Sequence, residues 1–150
     1  MKVANSIKIN VFIKEGEDEE KVKQKLLSLI PFSIEESPIS KNSATGFNES
    51  KITIYEILLE KDRHIKEFLD NLIAKLDDEI KERILQQAES RLDEEGNFFL
   101  RFKKDKYMDE NKLYLTDQGN CFHIKINIAA FPKKREIELG IIRNIFKGKE

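Results

Sequence analysis

Three stretches of this chain alternate apolar and polar residues with a period of two: Ile7, Ile9, Val11 and Ile13; Phe98, Leu100 and Phe102; and Phe122, Ile124, Ile126 and Ile128. Successive side chains of a strand point to opposite faces, so each stretch reads as a half-buried strand with one apolar side. Such strands are stable only if other elements cover that side. The intervening sequence supplies the cover.

Gly16 breaks the first strand, EDEE (17–20) places acids where a helix N-terminus is partially positive, and Val22, Leu26, Leu29 and Ile30 recur at helical spacing until Pro31. Residues 32–49 are rich in Ser, Asn, Pro and Gly and predict a loop, with a short strand near Ser33–Glu35. KITIYEILLE (51–60) predicts a second main strand, although its tail from Glu56 also suits a helix start. From Ile65 to Ala88 an apolar stripe at helical spacing predicts one long helix or a pair, and Asp77 and Asp78 allow, without compelling, a bend or short break there. Beyond Gly96 follow a strand over Phe98–Lys104, a short strand at Lys112–Leu115, a turn at DQGN (117–120), a strand over Cys121–Ala130, and a last helix beginning near Pro132. The whole predicts one α+β domain over residues 1–150, a largely antiparallel sheet with helices packed on one face and the other face less covered.

That open face is where function is expected, because recognised catalytic signals are missing from the sequence. His64 and His123 stand in no two-histidine metal motif, and there is no Gly-rich phosphate loop, GxSxG elbow or cysteine–histidine signature. The single cysteine, Cys121, excludes an internal disulfide and any multi-cysteine metal site and fits a reducing compartment. Acidic runs such as EDEE and DDE (77–79) read as helix starts or solvated faces. No run of about 18 apolar residues offers a membrane span and no signal-peptide core is present, so a cytoplasmic, non-enzymatic protein without cofactor or metal is expected.

Charge sharpens the expectation. Residues 1–96 carry 15 basic and 21 acidic side chains, net -6, whereas residues 97–150 carry 12 and 7, net +5. If the apolar residues of the three alternating strands face the helices, the opposite face shows Lys8, Asn10, Phe12, Phe99, Arg101, Lys103, His123, Lys125 and Asn127. Cations that neutralise phosphates beside rings that stack on bases are the parts of a single-stranded RNA surface. Solvated strand lysines and a small second core of Phe12 and Phe99 would give the same pattern without RNA. Lys133, Lys134 and Arg135 fall in the first turn of a helix that starts at Pro132, where three cations oppose the macrodipole and would suit a phosphate. Glu136 and Glu138 offset that charge in part, and a later helix start would remove the conflict. Arg91 sits near a helix C-terminus, where a cation is expected in any case.

The strings RLDEEGNFFLRFKKDKY (91–107) and DQGNCFHIKINIAAFPKKRE (117–136), with SIKINVFIKEGEDEEKVKQKLLSLIP (6–31), resemble an archaeal family of predicted RNA-binding proteins described as exosome-associated, with a ribosomal-protein-L-five-like or double-stranded-RNA-binding-domain-like fold. The resemblance implies RNA binding without nuclease chemistry, in the cytoplasm of an archaeon and beside an RNA-processing complex. Its matching positions are Arg91, Asp93, Gly96, Asn97, Arg101, Lys104, Pro132, Lys133 and Arg135. Together with strand parity this marks Arg91, Phe99, Arg101, Lys103, Lys104, His123, Lys125, Lys133, Lys134 and Arg135 as the expected RNA-binding residues. Three turns depart from the family pattern: GFNES (46–50) lacks a proline, Lys106–Asn111 lacks a glycine, and DQGN replaces a more acidic Gly-Asp type turn. The competing expectation is a protein-interaction module, a homodimer paired through the open face or an edge strand.

Overall fold

The structure, a computed structural model, describes residues 2–33, 39–45 and 50–147. Five strands, β1 (Ala4–Lys14), β2 (Ile39–Thr45), β3 (Lys51–Leu59), β4 (Asn97–Lys103) and β5 (Cys121–Ile128), form one sheet in the order β2-β3-β1-β5-β4 with every neighbouring pair antiparallel. Six helices accompany it: α1 (Glu19–Leu27), α2 (Asp62–Lys75), α3 (Asp78–Gln86), α4 (Ala88–Arg91), α5 (Lys104–Glu110) and α6 (Arg135–Phe146). No helix among the described residues is long and apolar enough to cross a membrane.

Register explains why the core sits where it does. Leu59, Ile7, Ile126 and Phe98 stand side by side across β3, β1, β5 and β4; Ile57, Ile9, Ile124 and Leu100 form the next row, and Tyr55, Val11, Phe122 and Phe102 the third. All twelve residues are buried. Each fully buried aliphatic or aromatic side chain of this kind contributes about 1.5–3 kcal/mol, so these rows dominate the stability of the fold. Phe68 and Leu72 of α2, Ile84 of α3 and Ile142 and Phe146 of α6 are buried in the same core, and the Phe146 ring lies 5.8 Å from that of Phe98.

Residues 62–91 form three helices. Asp77 turns out of α2 and its carboxylate accepts from the Ile80 backbone N–H at 2.9 Å, which caps α3 and makes the short break that the sequence allowed there. The stretch expected to be a loop contains β2, whose residues Ser40–Thr45 are all exposed. An edge strand with no apolar alternation leaves no periodic signal. Of the short strand expected near Ser33–Glu35, residues 34 and 35 lie outside the described residues. Lys41 of β2 and the Tyr55 hydroxyl of β3 both donate to Glu19, at 3.0 and 2.7 Å, tying this edge to α1.

β4 ends at Lys103, one residue before the expected end of the strand, and the chain enters α5, a helix not expected from the sequence; the Tyr107 ring packs edge-on to Phe122 at 5.3 Å and its hydroxyl meets Ser28 Oγ at 2.7 Å. Asn111 ends α5 at φ 56°, filling the left-handed position expected of a glycine. Residues 112–115 make a single bridge, Leu115 to Phe102, in place of the expected strand. The last helix begins at Arg135 and not at Pro132: Lys134 is extended, with φ -130° and ψ 144°, and the first turn carries Glu136 and Glu138, the charge that a helix N-terminus favours. Lys133 and Lys134 therefore precede the helix.

Gly96 holds φ +83°, and a Cβ there would press on the Glu138 carboxylate. Gly96→Ala should lower stability by more than about 1 kcal/mol, read as a shift in denaturant midpoint. Lys104 is also fixed by the fold: it is 2% exposed, and its ammonium donates to Phe12 O at 2.6 Å and to Glu17 Oε1 at 2.9 Å. Partial burial works to raise the Glu17 pKa, but the Lys14 N–H and Lys104 outweigh it and hold the carboxyl below the ordinary glutamate value. The resulting stability is present in full above that ordinary value and is lost as pH falls through the lowered one. Lys104→Met should destabilise by about 1–3 kcal/mol at pH 7 by orphaning Phe12 O, and the gap to wild type should narrow in acid unfolding titrations.

Candidate nucleic-acid interface

Parity that sends the apolar rows to the helices sends their neighbours outward. Across β3, β1, β5 and β4 the open face carries Leu58, Lys8, Lys125 and Phe99 in one row and Glu56, Asn10, His123 and Arg101 in the next. Lys103 of β4 pairs with Cys121, and Phe12 with Ile54. The Phe99 and His123 rings lie 5.6 Å apart at 35°, which places an aromatic pair between Arg101 and Lys125. Burial, then the charges of Arg101 and Lys125, push the His123 pKa below its ordinary value, so its imidazole is neutral at pH 7. Lys8 shares a 3.6 Å contact with Glu56, a weak exposed pair; Lys125, Arg101 and Lys103 make no ion pair among the described residues.

Of the residues marked from the sequence, Phe99, Arg101, Lys103, His123 and Lys125 thus share one surface. Two others are committed to structure. Lys104 is buried beneath the start of α5, and Arg135 donates to the Leu92 and Glu89 carbonyls at 3.1 and 2.5 Å, satisfying carbonyls at the end of α4. Lys133 and Lys134 are exposed ahead of α6, with Lys133 Cε beside Gly96 at the start of β4. Arg91 reaches from α4 to the outer edge of β4, where it donates to Phe99 O at 3.4 Å, while its Nε and Nη2 donate to Gln87 Oε1 at 3.0 and 2.6 Å. Gln87 and Asp117, which border this arginine, carried no signal in the sequence.

One end of the face is closed by a run of side-chain amides pointing one way. Asn5 donates to Asn127, Asn127 to Asn97 and Asn97 to Asp93, at 2.9, 2.9 and 3.2 Å. Asn5 escapes a parity argument because a bulge between Ala4 and Ser6 reverses the alternation. Burial works to raise the Asp93 pKa, but the backbone and side-chain N–H groups of Asn97 and the Glu95 N–H outweigh it and hold the carboxyl below its ordinary value. The carboxylate that ends the run is therefore ionised at neutral pH. At the opposite end of the face Phe12, 47% exposed, stands beside Ile54, whereas Leu58, 41% exposed, lies two rows away beside Lys8.

Chemically this surface offers cations, amides and rings and little else. Burial raises the Cys121 thiol pKa, so it is not a ready nucleophile, and His64 lies buried against Phe32 at 4.2 Å, away from the open face. Among the described residues no group of three or more His, Cys, Asp or Glu side chains is placed to hold a metal ion.

Known proteins place this chain. A family model described as RNA binding matches residues 6–128. The chain is 31% identical over 150 residues to an RNA-binding protein of Pyrococcus abyssi, covering 98% of this chain and 96% of that one. A crystal structure from Archaeoglobus fulgidus superposes with a TM-score of 0.84 at 27% identity, covering 95% of this chain and 99% of that one. A structure from Methanothermobacter thermautotrophicus gives 0.78 at 30% identity, covering 97% and 99%. By the span of the family match and the identity to a relative matched over nearly its whole length, this chain belongs to the RNA-binding family.

Proposed function

We propose that the chain acts as a single, non-catalytic RNA-binding domain whose contact surface is the half of the open face built by β1, β5 and β4. The observation that carries this reading is the register that sets Lys125 between Lys8 and Phe99, and His123 between Asn10 and Arg101. Cations there meet phosphates and the Phe99–His123 pair meets bases, with Lys133 and Lys134 extending the basic surface near the start of β4. Arg135 and Lys104 support the surface without touching RNA. The family and the Pyrococcus relative support the RNA itself.

On this reading the protein serves in the cytoplasm of an archaeon as an accessory factor in RNA processing or turnover, associated with an exosome as the family resemblance implies, and its sheet is of the ribosomal-protein-L-five-like kind. Co-purification of a ribonuclease complex with the tagged chain from archaeal extract supports the association; recovery of RNA without such a complex argues against it.

A second reading rests on the apolar corner. Phe12, with Ile54 beside it and the outer edge strand β2 next across the sheet, suits a protein partner or a second copy of this chain. Sedimentation at micromolar concentration separates the two: a dimer broken by Phe12→Ser favours the corner as an interface, and a monomer leaves it unassigned to self-association.

RNA binding makes a direct prediction. Affinity for a mixed RNA, followed by fluorescence anisotropy, should fall steeply with salt, the logarithmic slope being about 0.7–0.9 per phosphate neutralised. Lys125→Glu should weaken binding at least about tenfold and flatten that slope, since it reverses a charge in the middle of the cationic row. A salt-independent or absent response rejects the reading.

A further inference from the structure

The outer edge of β4 is sealed in two places and open between them. Asp93 N donates to Asn97 O at 2.9 Å at one end, and at the other Lys103 N donates to Tyr114 O at 2.7 Å and Thr116 N to Arg101 O at 2.9 Å. Between these lies a cleft of about 450 Å³ lined by Gln87, Ser90, Arg91, Phe99, Arg101 and Asp117. Its size is that of a small-ligand site.

Two guanidinium groups border this cleft without a partner carboxylate. Arg91 is half-buried and held entirely by neutral acceptors, Gln87 Oε1 and Phe99 O. Arg101 is exposed and donates to the Asp117 backbone carbonyl at 3.3 Å. Neither forms an ion pair among the described residues. Burial disfavours the ionised form of Arg91; Asp117 opposes this more strongly than the charge of Arg101 adds to it, and the balance still lies against ionisation. A pair of like charges fixed by neutral groups is poor design for stability alone and good design for an anion, because the guanidinium fork is already oriented when the anion arrives. Phe99, on the same wall, belongs to the ring pair with His123.

We propose that this cleft takes one nucleotide of a single-stranded RNA, its phosphate between Arg91 and Arg101 and its base against Phe99; the proposal rests on the RNA-binding reading above and goes beyond it in naming the strand form and the subsite. A paired base is covered on both faces by its neighbours and cannot lie against Phe99, whereas an unpaired one can. Gln87 and Ser90 line the cleft beside the half-buried Arg91, and a duplex, whose paired bases cannot lie against Phe99, does not seat a phosphate between the two arginines. Asp117, an acceptor only, suits the donors of a nucleotide, its ribose hydroxyls or base amino groups, and not its phosphate.

The test compares a mixed-sequence single-stranded octaribonucleotide with a blunt duplex of the same sequence, binding the full chain at moderate salt. Wild type should prefer the single strand by about tenfold, and Phe99→Leu should lower single-strand affinity about fivefold or more, the range of one lost stack. Arg91→Lys and Arg101→Gln should each shrink the preference for the single strand. The His123 ring signals should show its pKa rising when the octamer binds, because a phosphate beside Arg101 favours the imidazolium. Arg101 is exposed, so its variant keeps the fold even where an Arg91 variant does not. Equal or tighter duplex binding, with both arginine variants affecting the two RNAs alike, overturns the cleft while leaving RNA binding in place. Failure of wild type to bind either RNA overturns both readings.

Discussion

Everything on the working face follows from what is buried behind it. Three apolar rows cross β3, β1, β5 and β4 in register, and a shift of any one strand by one residue would turn its whole apolar set to solvent. The register of the outward residues is therefore as fixed as that of the core. Lys125 stands between Lys8 and Phe99, and His123 beside Arg101, because Ile124 and Ile126 cannot move. A surface assembled this way needs no rigid loops to hold its groups in place.

The same economy governs the edges of that surface. Lys104, Arg135 and Arg91 are all basic and all near β4, yet each has a different task. Lys104 ties β4 to β1 and to the turn after it, Arg135 fastens the start of α6 to the end of α4, and Arg91 fills the gap in the β4 edge. Lys104 is buried and Arg135 stays exposed, whereas Arg91 is half-buried and lines the cleft beside β4. A basic residue near a sheet is thus not evidence of a binding role until its partners are counted.

Strand parity was legible from the sequence because a half-buried strand must alternate, and it correctly assigned both faces of β1, β4 and β5. The strand of Lys51–Leu59 was legible from its β-branched content. β2 was not, since every residue from Ser40 to Thr45 is exposed and an edge strand is held by backbone hydrogen bonds that leave no mark on composition. α5 was hidden because Tyr107, its one fully buried apolar side chain, lies in an otherwise largely charged segment with only Met108 beside it. At the candidate site, Phe99, Arg101 and Lys125 were readable from parity; the tasks of Lys104 and Arg135 were not, because both bind main-chain carbonyls from segments distant in the sequence.

The one-way run from Asn5 through Asn127 and Asn97 to Asp93 crosses three strands that sequence keeps far apart. Asn127 and Asn97 each use the oxygen toward one neighbour and the nitrogen toward the next, so neither can be rotated or replaced without breaking two contacts, and Asn5 donates at the head of the run. Dipoles aligned in this way reinforce one another and lean toward the ionised carboxylate at the far end. That end of the sheet holds its side chains in a single orientation, and Phe99 in the next row stands beside a wall that does not adjust.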